Sequence, residues 1–224
     1  MEAVASAKAA VAKAGFWHAL VGALMTTQQK SGPDGAVARF LRARPFPLSY
    51  ATCCSQSNAE AFVTSTLTSF GGIRRTNRIG RELAADLHGL ENGLWEDLLT
   101  RINSLMPQAT QESELAVADY LDERLLGLGP KQSRNLLQGL GATRYEIPID
   151  SRLTKWLNDF GFPVQLSSVA LADRHYYRFV SHGIQQLCAA ADVFPCVFDA
   201  AVFASFDRGR WQSDNTDPWG YAGA

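Results

Sequence analysis

Leu126-Gly127-Leu128-Gly129-Pro130-Lys131 stands near the middle of the chain, and nineteen positions past the lysine the segment Ile147-Pro148-Ile149-Asp150 ends. In the first string two glycines flank a leucine. They let the backbone turn tightly and remove side chains that would block the approach of a ligand. Pro130 suits the first turn of a following helix, where its missing N–H costs nothing. The pattern predicts a hairpin between two helices, the second running from about Lys131 to Leu140. The free N–H groups at the start of such a helix make an anion site that fits a phosphate. The same glycines would also serve as an ordinary helical C-cap.

Lys131 opens that helix, where the macrodipole disfavours an ammonium, and Arg134 stands one turn further on. Both effects, with partial burial, push the amine towards its neutral, nucleophilic form. Either a phosphate contact or Schiff-base chemistry would explain a lysine in this position. Asp150 precedes Ser151-Arg152-Leu153-Thr154-Lys155-Trp156-Leu157, a helical pattern, so it is expected to cap that helix and stay ionised. A purely structural cap is the common use of such an aspartate. The pairing with Lys131 across one helix and one loop is the argument for a functional use.

Outward from this block the periodicity is helical nearly throughout. Phe16, Leu20, Val21, Leu24 and Met25 recur at helical spacing, as do Leu94, Trp95, Leu98, Leu99, Ile102 and Leu105, with Pro107 ending that helix. Ala116, Val117, Tyr120 and Leu121 mark the helix that leads into the hairpin. Ile184, Leu187, Cys188 and Ala191 line another, stopped near Pro195, and Val197 to Phe206 forms a last one. Alternating strand patterns and internal repeats are missing, so the expected class is all-α. The stretch from Asp207 to Ala224 is rich in Gly, Asp, Asn and Pro and reads as an irregular tail that docks through Trp211, Trp219 and Tyr221.

With 46% apolar and 19% charged residues the chain is neither disordered nor fibrous, and 224 residues suffice for one sizeable domain or two small ones sharing a core. No apolar run approaches the roughly 20 residues of a membrane helix, so no membrane partner is expected. Met1 to Ala10 reads as the start of an Ala-rich helix rather than as a signal peptide. Cys53, Cys54, Cys188 and Cys196 are too scattered for a disulfide framework, a zinc ribbon or an iron–sulfur cluster, and read as reduced thiols of a cytosolic protein. A net charge of −1 argues mildly against a nucleic-acid partner. Screening over about 8–10 Å makes the local distribution matter more. Positive charge is clustered in Arg39, Arg42 and Arg44, in Arg74, Arg75, Arg78 and Arg81, and in Lys131, Arg134, Arg144, Arg152 and Lys155. Glu112, Glu114, Asp119, Asp122 and Glu123 concentrate acid elsewhere. Each basic cluster reads equally as a solvated helix face.

The hairpin string, followed at this spacing by Pro-Ile-Asp before a helix, resembles the signature of the helix-hairpin-helix DNA glycosylase superfamily. There a Leu-Pro-Gly-Val-Gly-x-Lys type string is followed by Val-Pro-Val-Asp. The resemblance covers roughly residues 16 to 160. It implies an all-α, two-lobed fold, with a six-helix core lobe over 22–144 and a second lobe built from both chain ends, 1–21 and 145–224. It implies Lys131 as the nucleophile that attacks C1′ of a damaged nucleotide, and Asp150 as the group that assists and stabilises charge on the sugar. Gly127 and Gly129 would grip the DNA backbone. Leu24-Met25-Thr26-Thr27-Gln28-Gln29 resembles the early helix whose terminal glutamine, here Gln28 or Gln29, fills the gap left by the extruded base. Gly71-Gly72-Ile73-Arg74-Arg75-Thr76-Asn77-Arg78 resembles the segment that opens another core helix. Arg74 and Arg75 would then meet DNA, as would Arg134 and Arg152.

The base pocket should draw on C-terminal residues, with Phe198, Phe203, Trp211 and Trp219 as candidate stacking partners that read as well as core residues. His175 and His182 carry the same ambiguity. Leu126 departs from the family's usual proline. The iron–sulfur ligands of the endonuclease III branch are missing, as is the N-terminal β-domain of the larger eukaryotic 8-oxoguanine enzymes. The resemblance therefore points towards the 8-oxoguanine branch. It implies a monomeric DNA glycosylase and AP lyase of base excision repair that acts on damaged double-stranded DNA without cofactor or metal. Its expected place is the cytoplasm and nucleoid of a prokaryote or the nucleus of a eukaryote. The alternatives are the same fold acting on an oxidised pyrimidine, and a non-catalytic helix-hairpin-helix module in which Lys131 serves a phosphate and Asp150 only a cap.

Overall fold

A computed structural model describes residues 10–29, 32–106 and 108–206, and regular structure among them is helical. In chain order the helices are α1 (Lys13–Met25), α2 (Ala36–Leu41), α3 (Tyr50–Cys54), α4 (Ala59–Phe70), α5 (Thr76–Gly89), α6 (Trp95–Ser104), α7 (Gln111–Arg124), α8 (Pro130–Gly139), α9 (Ser151–Phe160), α10 (Arg174–Ala190) and α11 (Pro195–Phe206). A π-turn at Leu90–Leu94 joins α5 to α6, and a single 3-10 turn at Ala170–Ala172 precedes α10. The all-α expectation holds.

Every residue of α1 from Phe16 to Met25 is buried. A helix that is apolar on all sides has to be wrapped by others. Here α2, α3, α5 and α8 surround it. Each large apolar side chain so buried contributes about 1.5–3 kcal/mol. The Trp17 indole N–H is satisfied by the Leu48 carbonyl at 2.9 Å. Local sequence starts the outer helices. Asn58 accepts the Ala61 N–H at the head of α4. Thr110 and Ser113 form a reciprocal capping box on α7, and Asp173 accepts the Tyr176 N–H on α10.

Two apolar cores result. One gathers residues from Phe16 to Ala142, and the other runs from Ile147 to Val202. The expected contribution of residues 1–21 to the second lobe needs correction. Their described part, with Phe16, Trp17, Leu20 and Val21, lies in the first core. An all-apolar helix cannot line the outside of a second lobe, so it becomes the axis of the first. Residues 1–9 lie outside the described residues, and Ala10 to Ala12 precede α1 rather than forming a helix start. Among the described residues no single helix is long and apolar enough to cross a membrane.

The chain crosses between the cores in the segment from Gly141 to Asp150, and buried polar groups fix its path. The Glu114 carboxylate of α7 accepts the backbone N–H groups of Arg144, Tyr145 and Glu146 at 2.7–2.9 Å, together with the Thr143 hydroxyl. The Tyr177 phenol of α10 donates to the Ile147 carbonyl at 2.9 Å and accepts the Ile149 N–H at 2.8 Å. These bonds fix the path that leads from the end of α8 to Asp150.

Candidate active site

The hairpin forms as the glycines predict. Gly127 has φ +83°, and a Cβ there would lie 2.4 Å from the Glu82 carboxyl carbon, so both backbone and space require glycine. A Cβ on Gly129 would meet nothing within 4 Å, so that position is open rather than crowded. Gly129 precedes α8 without any side-chain cap, and Pro130 occupies the first turn. From behind, Asp86 of α5 accepts the Leu126 N–H at 2.7 Å. Asp86 is buried, and this pushes its carboxyl up to about 7. Arg78 pairs with the neighbouring buried Glu82 at 2.5 Å.

Lys131 is half-buried on the first turn of α8. Burial lowers its pKa, with Arg152 adding to the effect and Asp150 and Asp199 opposing it. No ion pair holds the ammonium among the described residues. Asp150 caps α9 through one oxygen alone, since Oδ1 accepts both the Arg152 and Leu153 N–H groups at 2.9 Å. The capping role therefore leaves Oδ2 outside the cap, and the structural and functional uses do not compete.

Asp199 of α11 completes the cluster and was not among the residues the sequence singled out. It is 8% exposed, and its Oδ2 accepts the Gln138 side-chain N–H of α8 at 2.7 Å. Burial pushes this carboxyl up to about 6. One signal could have found it: Asp199 is the sole charged residue of the apolar helix Pro195–Phe206. Lys131, Asp150 and Asp199 thus come from three helices and both cores. They combine an amine kept short of counter-charge with two carboxylates in different surroundings.

The other expected residues divide sharply. Gln28 is exposed with left-handed backbone, φ +56°. Gln29 is tied down: its amide N–H groups reach the Met25 and Arg74 carbonyls at 2.8 and 3.2 Å, and its Oε1 accepts the Arg74 N–H at 2.9 Å. Thr26 accepts from Asn135 at 2.9 Å and Thr27 from Gln132, which places the end of α1 beside the start of α8. Arg74 is exposed and Arg75 half-buried in a left-handed turn before α5. Arg152 stacks on the Phe203 ring, 4.0 Å from its centroid, so one face of that ring already carries a guanidinium. Phe198 packs edge-on against Trp156 within the second core. His175 and His182 are exposed on α10. Trp211 and Trp219 lie outside the described residues, as does Tyr221.

Arg134 requires correction as a DNA contact. Only 1% of it is exposed. Its Nε meets Glu146 at 2.7 Å, its Nη2 meets Asp119 at 3.3 Å, and its guanidinium lies over the Tyr177 ring. A cation at a helix start reads as a surface charge until buried acids from other segments claim it. Nor does it act on Lys131, whose opposing cation is Arg152. Of the other basic residues, Arg39 and Arg42 donate to nearby backbone carbonyls.

Among the described residues no group of three histidine, cysteine or acidic side chains could hold a metal ion. Cys53 and Cys188 are buried, Cys196 is half-buried and Cys54 is exposed, all as free thiols. In comparisons with known proteins, the chain matches no family model, no curated relative and no solved structure.

Proposed function

We propose that the chain is a DNA glycosylase with AP lyase activity, which removes a damaged base, first of all 8-oxoguanine, from double-stranded DNA. The observation that carries this reading is Lys131: a half-buried amine of lowered pKa without an ion pair among the described residues, between Asp150 and Asp199. An amine left so poorly compensated is suited to nucleophilic attack. An amine meant only for phosphate would gain from full protonation and exposure.

A base stacked in a duplex cannot reach such a site, so the nucleotide would be flipped out. Gln28 would enter the gap, since Gln29 is engaged in holding Arg74. The uncapped start of α8 would receive a backbone phosphate. Lys131 then attacks C1′, the bond to the base breaks, and the Asp150 carboxylate offsets positive charge on the sugar. The resulting Schiff base allows strand cleavage by β-elimination. The chemistry calls for no metal or cofactor, and a single chain carries the whole cluster.

Incubation with 8-oxoguanine duplex and borohydride tests the reading, because borohydride reduces and traps a lysine–DNA Schiff base. A covalent adduct that disappears in Lys131→Gln is expected. Adducts only with oxidised-pyrimidine duplexes would move the reading to another lesion. Tight DNA binding with no adduct and no cleavage at abasic sites would leave a binding module.

A further inference from the structure

We propose that Gln132 of α8, braced by Asn135, is a positioning residue: it locks the exposed Gln28 to the helix that carries Lys131, so that opening the duplex and placing the freed nucleotide become one event. This rests on the glycosylase and lyase reading above. Thr27 accepts from the Gln132 side-chain amide, and Thr26 accepts from the Asn135 amide at 2.9 Å. Gln28 directly follows Thr27, and Lys131 directly precedes Gln132. Two chain steps and one hydrogen bond therefore join the tip to the amine. Asn135 Nδ2 also reaches Gln132 Oε1 at 3.4 Å, so the two amides hold one another in place.

Further bonds hold the tip from its other sides. The Thr26 hydroxyl donates to the Ala23 carbonyl at 2.9 Å. Gln29, beyond the tip, is joined to the Arg74 backbone through both its amide N–H and its Oε1. Gln28 lies between these anchors with φ +56°. A residue other than glycine stays in left-handed backbone only where its surroundings hold it there. Gln132 itself is 6% exposed, and a buried amide costs stability unless its ends are matched. An apolar side chain would pack α1 against α8 without that cost, as the rest of α1 does. What the amide adds is register, because hydrogen bonds single out one placement of two helices.

Register matters because both tasks fall on one nucleotide. Extruding a base costs its stacking and pairing, and a side chain that fills the gap offsets part of that cost. The freed nucleotide must then meet Lys131 in a geometry fit for attack, where a misplacement of about 1 Å costs up to about 100-fold. A tip fixed to α8 sets both at once. Wherever Gln28 enters the duplex, Lys131 arrives at a set distance from it. Gln29 has a different part, since it ties the tip to the turn before α5 and not to the amine.

The test uses the full chain and two duplexes, one with 8-oxoguanine and one with a preformed abasic site, each with 2-aminopurine beside the lesion to report unstacking. Single-turnover excision, borohydride trapping and fluorescence are read for wild type, Gln28→Ala, Gln132→Leu, the two combined, Thr27→Val and Thr27→Ser. Thermal melting checks that each variant is folded. Expected in Gln132→Leu is a loss of about tenfold in excision of 8-oxoguanine, with a smaller fluorescence rise and DNA binding retained. Trapping on the abasic duplex, which has no base to extrude, should fall less than about threefold. Gln132→Leu should add nothing to Gln28→Ala, because both act through one tip. Thr27→Val should repeat the loss, and Thr27→Ser, which keeps the hydroxyl, should recover it. Additive losses in the combined variant overturn the proposal. Equal losses on the two duplexes overturn it too, since Gln132 would then support Lys131 alone. So does a wild-type excision rate in Gln28→Ala. Should Gln132→Leu fail to fold, the Thr27 pair decides, and equal rates for Val and Ser overturn the proposal. In each of these cases wild-type trapping leaves the lyase reading standing. No wild-type adduct on either duplex would instead overturn that reading, and this proposal with it.

Discussion

Lys131 and Arg134 stand one turn apart on α8, and they have opposite electrostatic fates. Arg134 is fully enclosed, and Glu146 and Asp119 match its charge. Gln185 and Ser181 of α10 in turn hold the second Glu146 oxygen. Lys131 is less buried yet has no ion pair among the described residues. Burial with full compensation makes a strut between the two cores. Burial with partial compensation leaves a reactive group. One helix supplies both: Lys131 on its first turn feels the charges of Asp150 and Asp199, while Arg134 on its next turn pairs with acids of α7 and the connecting segment.

The largest expected effect comes from the uncompensated side. Lys131→Gln should abolish the borohydride adduct altogether, while the melting temperature stays level or rises, since a poorly paired buried amine has been removed. A clear fall in melting temperature would make Lys131 a structural residue after all. The compensated side should respond the other way. Arg134→Met leaves Glu146 buried without its partner and should cost about 3–5 kcal/mol, measured by denaturant unfolding. A loss under about 1 kcal/mol would show that the network is not a strut.

The same contrast recurs at smaller scale in two neutral side chains. Gln28→Ala should slow excision about tenfold with stability unchanged, because the exposed amide holds no partner among the described residues. Gln29→Ala should lower stability by about 1 kcal/mol through its lost bonds to Met25 and Arg74. Equal effects of the two substitutions on excision would erase the distinction.

The smallest effect concerns Asp86, whose folded-state carboxyl titrates at about 7 against an ordinary 3.8. Between these values the folded chain holds a proton that the unfolded chain has lost. This group's contribution to stability therefore falls as pH rises through that window and is level above it. Asp86→Asn retains an acceptor for the Leu126 N–H and removes the penalty. Its stability relative to wild type should rise from pH 4 to pH 7, followed by thermal melting. A pH-independent difference would mean that Asp86 stays ionised.

The readable parts of the sequence were those where one local rule decides. Gly127 and Pro130 specify the turn, and Asp150 specifies a cap, without help from distant residues. Three features depended on distant partners and were not readable. Asp199 meets Gln138 across 61 positions. Arg134 owes its burial to acids on α7 and on the crossing segment. The apolar stripe of α1 gave no hint that the opposite face is buried too, so its place in the first lobe emerges only when four helices close around it.

That central helix has a mechanical consequence. Gln28 sits three residues past the end of α1, whose last ten residues are all enclosed. A side chain driven between stacked bases meets a restoring force, and a tip mounted on a yielding loop would simply recoil. Under the proposed function that recoil would run down the axis of α1 into α2, α3, α5 and α8, which pack around it. An enclosed helix would thus serve as the anvil behind an exposed tip.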